Sequence, residues 1–231
     1  VEHIRTLDLR KHKGRCFFST DLHGHYDLLH EKLKEVAFDS TKDILILGGD
    51  CCDRGPDSQY VLDYLNEPWI YCVQGNHERM VIDFIEALAT GDEREVRQPY
   101  QMLFHNGGEW FFDLSNKQQM DVYQSFKSLP LAIELLTPTE KIGIVHAQCP
   151  YNNWEEFKKM PKLELEFNGY ATAQWARTNY DRQWQETVKD VDRLLVGHTP
   201  TNSGDVEILG NVWYCDLGSF FRNKISFIQI M

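Results

Sequence analysis

The sequence has no apolar run near the roughly 20 residues that a membrane-spanning helix needs; its most hydrophobic stretches, such as ILIL at 44–47, are a fraction of that. Residues 1–15 hold no apolar core of the kind a secretory signal carries, so a cytoplasmic protein with no membrane partner is expected. Positive charge is also scarce. Lys and Arg number 24 against 35 Asp and Glu, a formal net charge of −11. The densest basic stretch, RKHKGR at 10–15, is short and reads as a solvated lead-in to a strand. A body of this charge repels polyanions, which argues against nucleic acid as a partner. The six cysteines include no CxxC pair, which points to reduced thiols rather than a disulfide framework. There is no P-loop and no HExxH, and no cysteine is followed six positions later by arginine. Covalent catalysis through a cysteine-phosphatase loop is therefore not the expectation.

What is present is a globular composition, 42% hydrophobic and 13% aromatic over 231 residues, ample for a sizeable core. Short apolar runs at 16–20, 44–47, 69–73, 142–145 and 194–196 end in polar, Gly-containing turns and read as buried strands. Between them lie segments of helical spacing, such as Leu28, Leu29, Leu33 and Val36, and then Met80, Val81, Phe84, Ile85 and Leu88. The alternation predicts an α/β fold. Strand-like runs at 206–209, 212–215 and 225–230 follow with little helix between them, so a mixed sheet is expected. Residues 91–130 look helical, and 149–169 look like an irregular loop of the kind that often carries function. Without a repeat or a Gly/Ser-rich linker, residues 1–231 are expected to form one domain.

Residues able to hold metal cluster immediately after the predicted strands. They occur in Thr20-Asp21-Leu22-His23-Gly24, in Gly49-Asp50-Cys51-Cys52-Asp53-Arg54-Gly55, in Gly75-Asn76-His77-Glu78, in His146-Ala147 and in Gly197-His198-Thr199. Strand ends of an open α/β sheet are where crevices form, so five such exits can converge on one site. Asp, His and Asn supply the oxygen and imidazole donors that suit manganese, iron or zinc. Asp21 and His23 can hold one ion, and Asp50 can bridge to a second held by Asn76, His146 and His198. Two ions about 3.5–4 Å apart would clamp the attacking and leaving oxygens of a phosphoryl transfer.

The ordered set DLHG, GDCCDRG, GNHE, a later His-Ala and a GHT resembles the phosphoprotein phosphatase family of metallophosphoesterases, in particular its phage and bacterial branch, with Trp175-Ala176-Arg177 as a further shared signal. The five fixed residues of GDxxDRG alone have a chance match on the order of one in a million per position. The resemblance implies a metallophosphoesterase fold, a mixed β-sheet sandwich flanked by helices with a dinuclear metal site at the strand ends. It implies Asp21, His23 and Asp50 at one metal and Asp50, Asn76, His146 and His198 at the other. It also implies His77 as general acid, Asp53 as its orienting partner, and Arg54 and Arg177 gripping the phosphate. The activity so implied is dephosphorylation of phosphoserine and phosphothreonine, with phosphotyrosine as a further substrate, by direct attack of a metal-bridging hydroxide. Two divalent ions are implied, manganese first, with iron or zinc as alternatives; the partner is a phosphorylated protein or a small phosphoester.

The alternative is a dinucleoside polyphosphate hydrolase acting on diadenosine tetraphosphate. That branch tends to lack the Asp of GDxxDRG and the Glu of GNHE, and both Asp53 and Glu78 are present. Cys51 and Cys52 stand where the family usually has larger apolar residues, and they are expected to pack as small apolar ones. Trp110, Phe111 and Phe112 read as core. So do Tyr151 and Trp154, although their position in an irregular loop after His146 leaves substrate contact open.

Overall fold

Alternating side chains along the strands explain how the layers form. In Cys16–Ser19 and Ile44–Leu47, Phe18 and Ile46 point to one face while Phe17, Leu45 and Leu47 point to the other, and all five are buried. Strands buried on both faces need cover on both. A second sheet supplies it on one side and helices on the other.

The computed structural model describes residues 3–231. The strands are β1 (Ile4–Asp8), β2 (Cys16–Ser19), β3 (Ile44–Leu47), β4 (Ile70–Cys72), β5 (Ala132–Leu136), β6 (Lys141–Val145), β7 (Arg193–Val196), β8 (Glu207–Leu209), β9 (Val212–Tyr214) and β10 (Ile228–Gln229). They form a six-stranded sheet of order β1-β5-β6-β7-β9-β8 and a four-stranded sheet of order β10-β2-β3-β4. Both sheets are mixed: β2, β3 and β4 run parallel with β10 antiparallel at the edge, and β6, β7 and β9 run parallel with β5 and β8 antiparallel. The expected mixed sandwich flanked by helices is what the chain adopts.

Three apolar clusters map onto the layers. Phe18, Ile46, Ile133, Leu135, Ile142, Ile144 and Leu195 meet between the sheets. Helices α1 (Tyr26–Glu35), α2 (Val61–Leu65), α3 (Asn76–Thr90), α4 (Glu93–His105), α5 (Glu109–Phe112) and α6 (Asn116–Ser128) cover the outer face of the small sheet. Short helices between 154 and 181 cover the large one, where Trp154 lies fully buried. The 149–169 segment is thus a packing element as much as a loop. Trp154 lies against Gly143 of β6, where a Cβ would approach the indole to 2.8 Å, and its Nε1 donates to Glu134.

Two strands, β1 and β5, were not expected. The IRTLD of β1 is an edge strand with a mostly exposed pattern. The AIELL of β5 carries Glu134, buried against Lys158 and Trp154, and a charged centre masks the apolar run. No described helix is long and apolar enough to cross a membrane.

Candidate metal centre

Nine of the ten residues singled out in the sequence arrive at one place because the strands that precede them are neighbours, and Arg177, which follows a short helix ending at Trp175, joins them at His198. The exits of β2 and β3 are laced together by Asp21 N–H to Gly49 O (3.1 Å), His23 N–H to Asp50 O (2.9 Å) and Gly24 N–H to Cys51 O (3.0 Å). The exit of β7 joins them through His198 N–H, which donates to both Asp21 carboxylate oxygens at 3.0 Å. That approach needs Gly197, where a Cβ would overlap the Asp21 carboxylate. Helix α3 opens with Asn76 and His77, and His77 N–H donates to Asp50 Oδ1 at 3.0 Å.

This convergence strains the backbone. Asp21, His23, Asp50, Asp53, Arg54 and His198 all have φ between +46° and +70°. Non-glycine residues rarely adopt that region, at a cost of order 1–3 kcal/mol each, and they hold it where surrounding contacts over-determine the turn. Six of the ten candidates share a conformation that serves to aim side chains, which is where strain of this kind usually sits.

Asp50 is at the middle. Its Oδ2 lies 3.3 Å from His146 Nε2 and 3.8 Å from both His23 Nε2 and His77 Nε2. Two groups of donor atoms, His23–Asp50–His77 and Asp50–His146–His198, are each close enough to share a metal ion, and Asp50 belongs to both. Asp21 is in neither group: its carboxylate accepts from His198 N–H and from Thr20 Oγ1 (2.6 Å). His77 takes its place in the first by proximity. Its Nδ1 is bonded to Asp53 Oδ2 at 2.6 Å, leaving Nε2 buried with no hydrogen-bond partner among the described residues.

The donor set fits a cation. Nδ1 of His146 lies 2.7 Å from Gly48 O, so it carries the proton and Nε2 presents a lone pair. Nε2 of His198 lies 3.1 Å from Trp175 O, which leaves Nδ1 as its lone-pair nitrogen. Both lone pairs point at the Asn76 amide, each 2.9 Å from its oxygen. With the oxygen inward, Asn76, His146, His198 and Asp50 present only acceptors to one point, an arrangement a cation satisfies. With the NH2 inward, the amide donates to both imidazoles instead.

Electrostatics follow the same geometry. Burial opposes charge on His146, but the Asp50 carboxylate beside it wins and lifts its pKa to about 10, so a proton and a metal ion compete for the same Nε2 lone pair. Burial, with His146 nearby, pushes His198 down to about 3. Burial also raises Asp21, helped by the like charges of Asp216 and Asp50. The field is strongly negative and already structured around positive groups.

The two arginines lie at the edges. Arg54 Nη1 donates to His23 Nε2 at 2.9 Å, with its guanidinium 4.5 Å from the Phe220 ring centre. Arg177 Nη2 donates to His198 O at 3.4 Å, and its Nε lies 3.3 Å from His198 Nε2. Both side chains are exposed.

The profile of the calcineurin-like phosphoesterase family matches residues 15–216. The chain belongs to that family. Among relatives of this phosphoesterase, the serine/threonine-protein phosphatase 2 of Escherichia coli (strain K12) is 33% identical over 213 residues, covering 91% of this chain and 90% of its own length. A symmetrical bis(5'-nucleosyl)-tetraphosphatase of Buchnera aphidicola is 38% identical, but over only 64 residues, 27% of this chain and 23% of its own. In fold, the phosphoesterase is similar to a solved serine/threonine phosphatase from Saccharomyces cerevisiae, with a TM-score of 0.57 at 15% identity, covering 92% of this chain and 70% of that one.

Sequence reading passed over three residues of this phosphoesterase's site. Asp216, buried and with a carboxyl lifted by burial to about 6, follows β9 as the other candidates follow their strands, and the apolar run at 212–215 was signal enough to find it. Glu78 lies beneath the site: it accepts from the N–H groups of Asp50, Cys51 and Gly75. Trp110, read as core, donates its indole N–H to Asp53. Cys51 and Cys52 are fully buried as expected, Cys51 with its sulfur 3.5 Å from that of Cys72. His3, His30 and His105 lie outside this cluster, bonded to Phe157 O, Tyr64 Oη and Gln101 O.

Proposed function

We propose that this phosphoesterase is a cytoplasmic protein phosphatase of one domain, residues 1–231, that hydrolyses phosphoserine and phosphothreonine esters and accepts phosphotyrosine. The observation that carries this reading is the position of Asp50, shared by two donor groups whose outer histidines each accept from an exposed arginine, His23 at its ring Nε2 from Arg54 and His198 at its carbonyl oxygen from Arg177. A site built from two cation positions with an arginine beside each suits a small, doubly charged phosphoryl group. The relation to a named serine/threonine-protein phosphatase over nine-tenths of both chains supports the same substrate class.

Asp21, His23 and Asp50 would hold one divalent ion, and Asp50, Asn76, His146 and His198 the other, with manganese as the preferred metal. Bound there, two such ions supply a water acidic enough to attack near neutral pH and offset charge on the phosphoryl oxygens. The remaining roles fall to the chain itself. Arg54 and Arg177 turn from their histidines to the phosphate oxygens and fix its orientation. His77, held at Nδ1 by Asp53, gives its Nε2 proton to the leaving oxygen as the phosphorus–oxygen bond breaks. The acidic exterior disfavours nucleic acid, and a phosphorylated protein or small phosphoester is the partner.

Diadenosine tetraphosphate hydrolysis is the second reading, supported by the short segment shared with a tetraphosphatase. One panel separates the two. Protein loaded with manganese is assayed on phosphoserine, phosphothreonine and phosphotyrosine peptides beside diadenosine tetraphosphate, then after exhaustive chelation. The expected outcome is peptide turnover that chelation abolishes and manganese restores. Turnover of the dinucleotide alone, or activity that survives metal stripping, refutes the proposal.

A further inference from the structure

Trp110 does more than fill the core. Its Nε1–H leaves the apolar cluster beneath α5 and donates to Asp53 Oδ1 at 2.6 Å, while the other oxygen of that carboxylate lies 2.6 Å from His77 Nδ1. Asp53 is fully buried, so each of its oxygens is taken by one ring. The torsion that turns a carboxylate about its own axis is soft. Anchoring one oxygen therefore decides where the other points.

The turn that carries Asp53 also needs an external hold. Asp53 and Arg54 are consecutive non-glycine residues with φ of +70° and +69°. The hold comes from the segment just before Trp110. Arg54 N–H donates to Gly107 O at 3.1 Å, and Gly107, at φ +92°, lies so close that a Cβ there would come within 2.5 Å of Arg54 N. One short stretch of chain thus grips the turn twice, at the backbone through Gly107 and at the carboxylate through Trp110.

We infer that Trp110 is a positioning residue for proton delivery to the leaving oxygen: its indole N–H fixes Asp53, and Asp53 fixes the orientation of His77. The inference rests on the reading of His77 as proton donor. In that step an oxygen of the attacking water bonds to phosphorus as the phosphorus bond to the leaving oxygen breaks, the electron pair stays with the leaving oxygen, and the Nε2 proton of His77 converts it to the free alcohol. The imidazolium becomes neutral imidazole. A ring that served packing alone would contribute equally as phenylalanine; what the N–H adds is order in the carboxylate behind the acid.

Protonation matters most for a poor leaving group, which gives a readout that packing does not move. Manganese-loaded wild type, Trp110→Phe and His77→Asn are compared on 2,4-dinitrophenyl phosphate and phenyl phosphate, with bound manganese measured for each. The ratio of kcat on the first substrate to kcat on the second should rise about tenfold in Trp110→Phe, the scale of losing one supporting contact. In His77→Asn it should rise further, towards the 10²–10⁴-fold scale of losing the acid. A raised ratio in His77→Asn with the wild-type ratio in Trp110→Phe overturns the role of Trp110. A wild-type ratio in His77→Asn overturns the proton-donor reading and this inference with it. Should Trp110→Phe fail to fold, β-(3-benzothienyl)alanine installed at position 110 keeps the ring and removes only the N–H, and the same ratio decides.

Discussion

Replacing Glu78 with glutamine tests whether the metal loops are held from below. Glu78 is fully buried in the first turn of α3. Its Oε2 accepts from Gly75 N–H at 2.7 Å and Asp50 N–H at 3.0 Å, and its Oε1 from Cys51 N–H at 2.8 Å. Three backbone donors from two loops therefore end on one carboxylate. Glutamine keeps the shape, and its oxygen can take two of the three; its NH2 then faces the third, leaving a buried N–H without a partner at about 1–3 kcal/mol. The two bonds that remain lose charge assistance, about 1 kcal/mol each. Against this, burial and the nearby Asp50 charge raise the Glu78 pKa, so removing the charge relieves some cost. The net expectation is a destabilisation of about 2–4 kcal/mol, which for a chain of this length lowers Tm by about 4–16 °C. Because the same N–H groups fix the loop bearing Asp50, manganese affinity measured by titration calorimetry should also fall about 10–100-fold. A Tm within about 1 °C of wild type together with unchanged affinity would show that Glu78 does not buttress the site.

Two further outcomes follow from charged side chains, one at the site and one away from it. Arg177→Ala should lower kcat/KM about 10–100-fold by removing a charge-assisted contact to phosphate, and Arg177→Lys should recover only part, lacking the planar fork; an unchanged kcat/KM for the alanine variant removes Arg177 from the phosphate site. At Asp43, burial alone would raise the carboxyl, but the Arg15 guanidinium and the N–H groups of Asp39 and Arg15 hold it below the usual carboxylate range. A depressed folded-state pKa stabilises above the unfolded value of about 3.9 and is lost as pH falls through the folded one. Asp43→Asn should therefore lower the urea midpoint at pH 7, with the gap to wild type narrowing below about pH 4; a gap independent of pH would refute the linkage.

The site was legible to the extent that its residues follow apolar runs. Asp21, Asp50, Asn76, His146 and His198 each sit at or just past the end of a short buried segment, and parallel pairing of β2 with β3, of β3 with β4 and of β6 with β7 carries those ends to one edge. Pairing between the two sheets has no such local signature. Nothing near Trp110 in the chain marks it as a neighbour of Asp53, 57 positions away, and a Trp-Phe-Phe run reads as core because it mostly is. The two unexpected strands fail for a related reason. An edge strand like β1 keeps polar side chains, and β5 hides its apolar pattern behind Glu134, whose charge is answered by Lys158 from a distant segment. Local pattern predicts what a segment buries, not which partner makes burial of its charge tolerable.

That distinction decides how the buried acids should be read. Among the described residues the buried carboxylates are Asp21, Asp43, Asp50, Asp53, Glu78, Glu134 and Asp216. The two outside the site follow the ordinary rule that a buried charge is paired: Asp43 with Arg15 and Glu134 with Lys158. The five at the site have no lysine or arginine ion pair among the described residues and rely on imidazoles and N–H groups instead. With the five carboxylates counted as ionised, every histidine as neutral and Arg54 and Arg177 as the nearby fixed cations, the local formal balance is −5 + 2 = −3, which would repel a phosphate dianion. Two divalent ions change it to −3 + 4 = +1. Acidic residues thus serve in two ways: outside, they make the surface inhospitable to polyanions, and the buried ones would be the means of concentrating positive charge where one phosphoryl group can reach it.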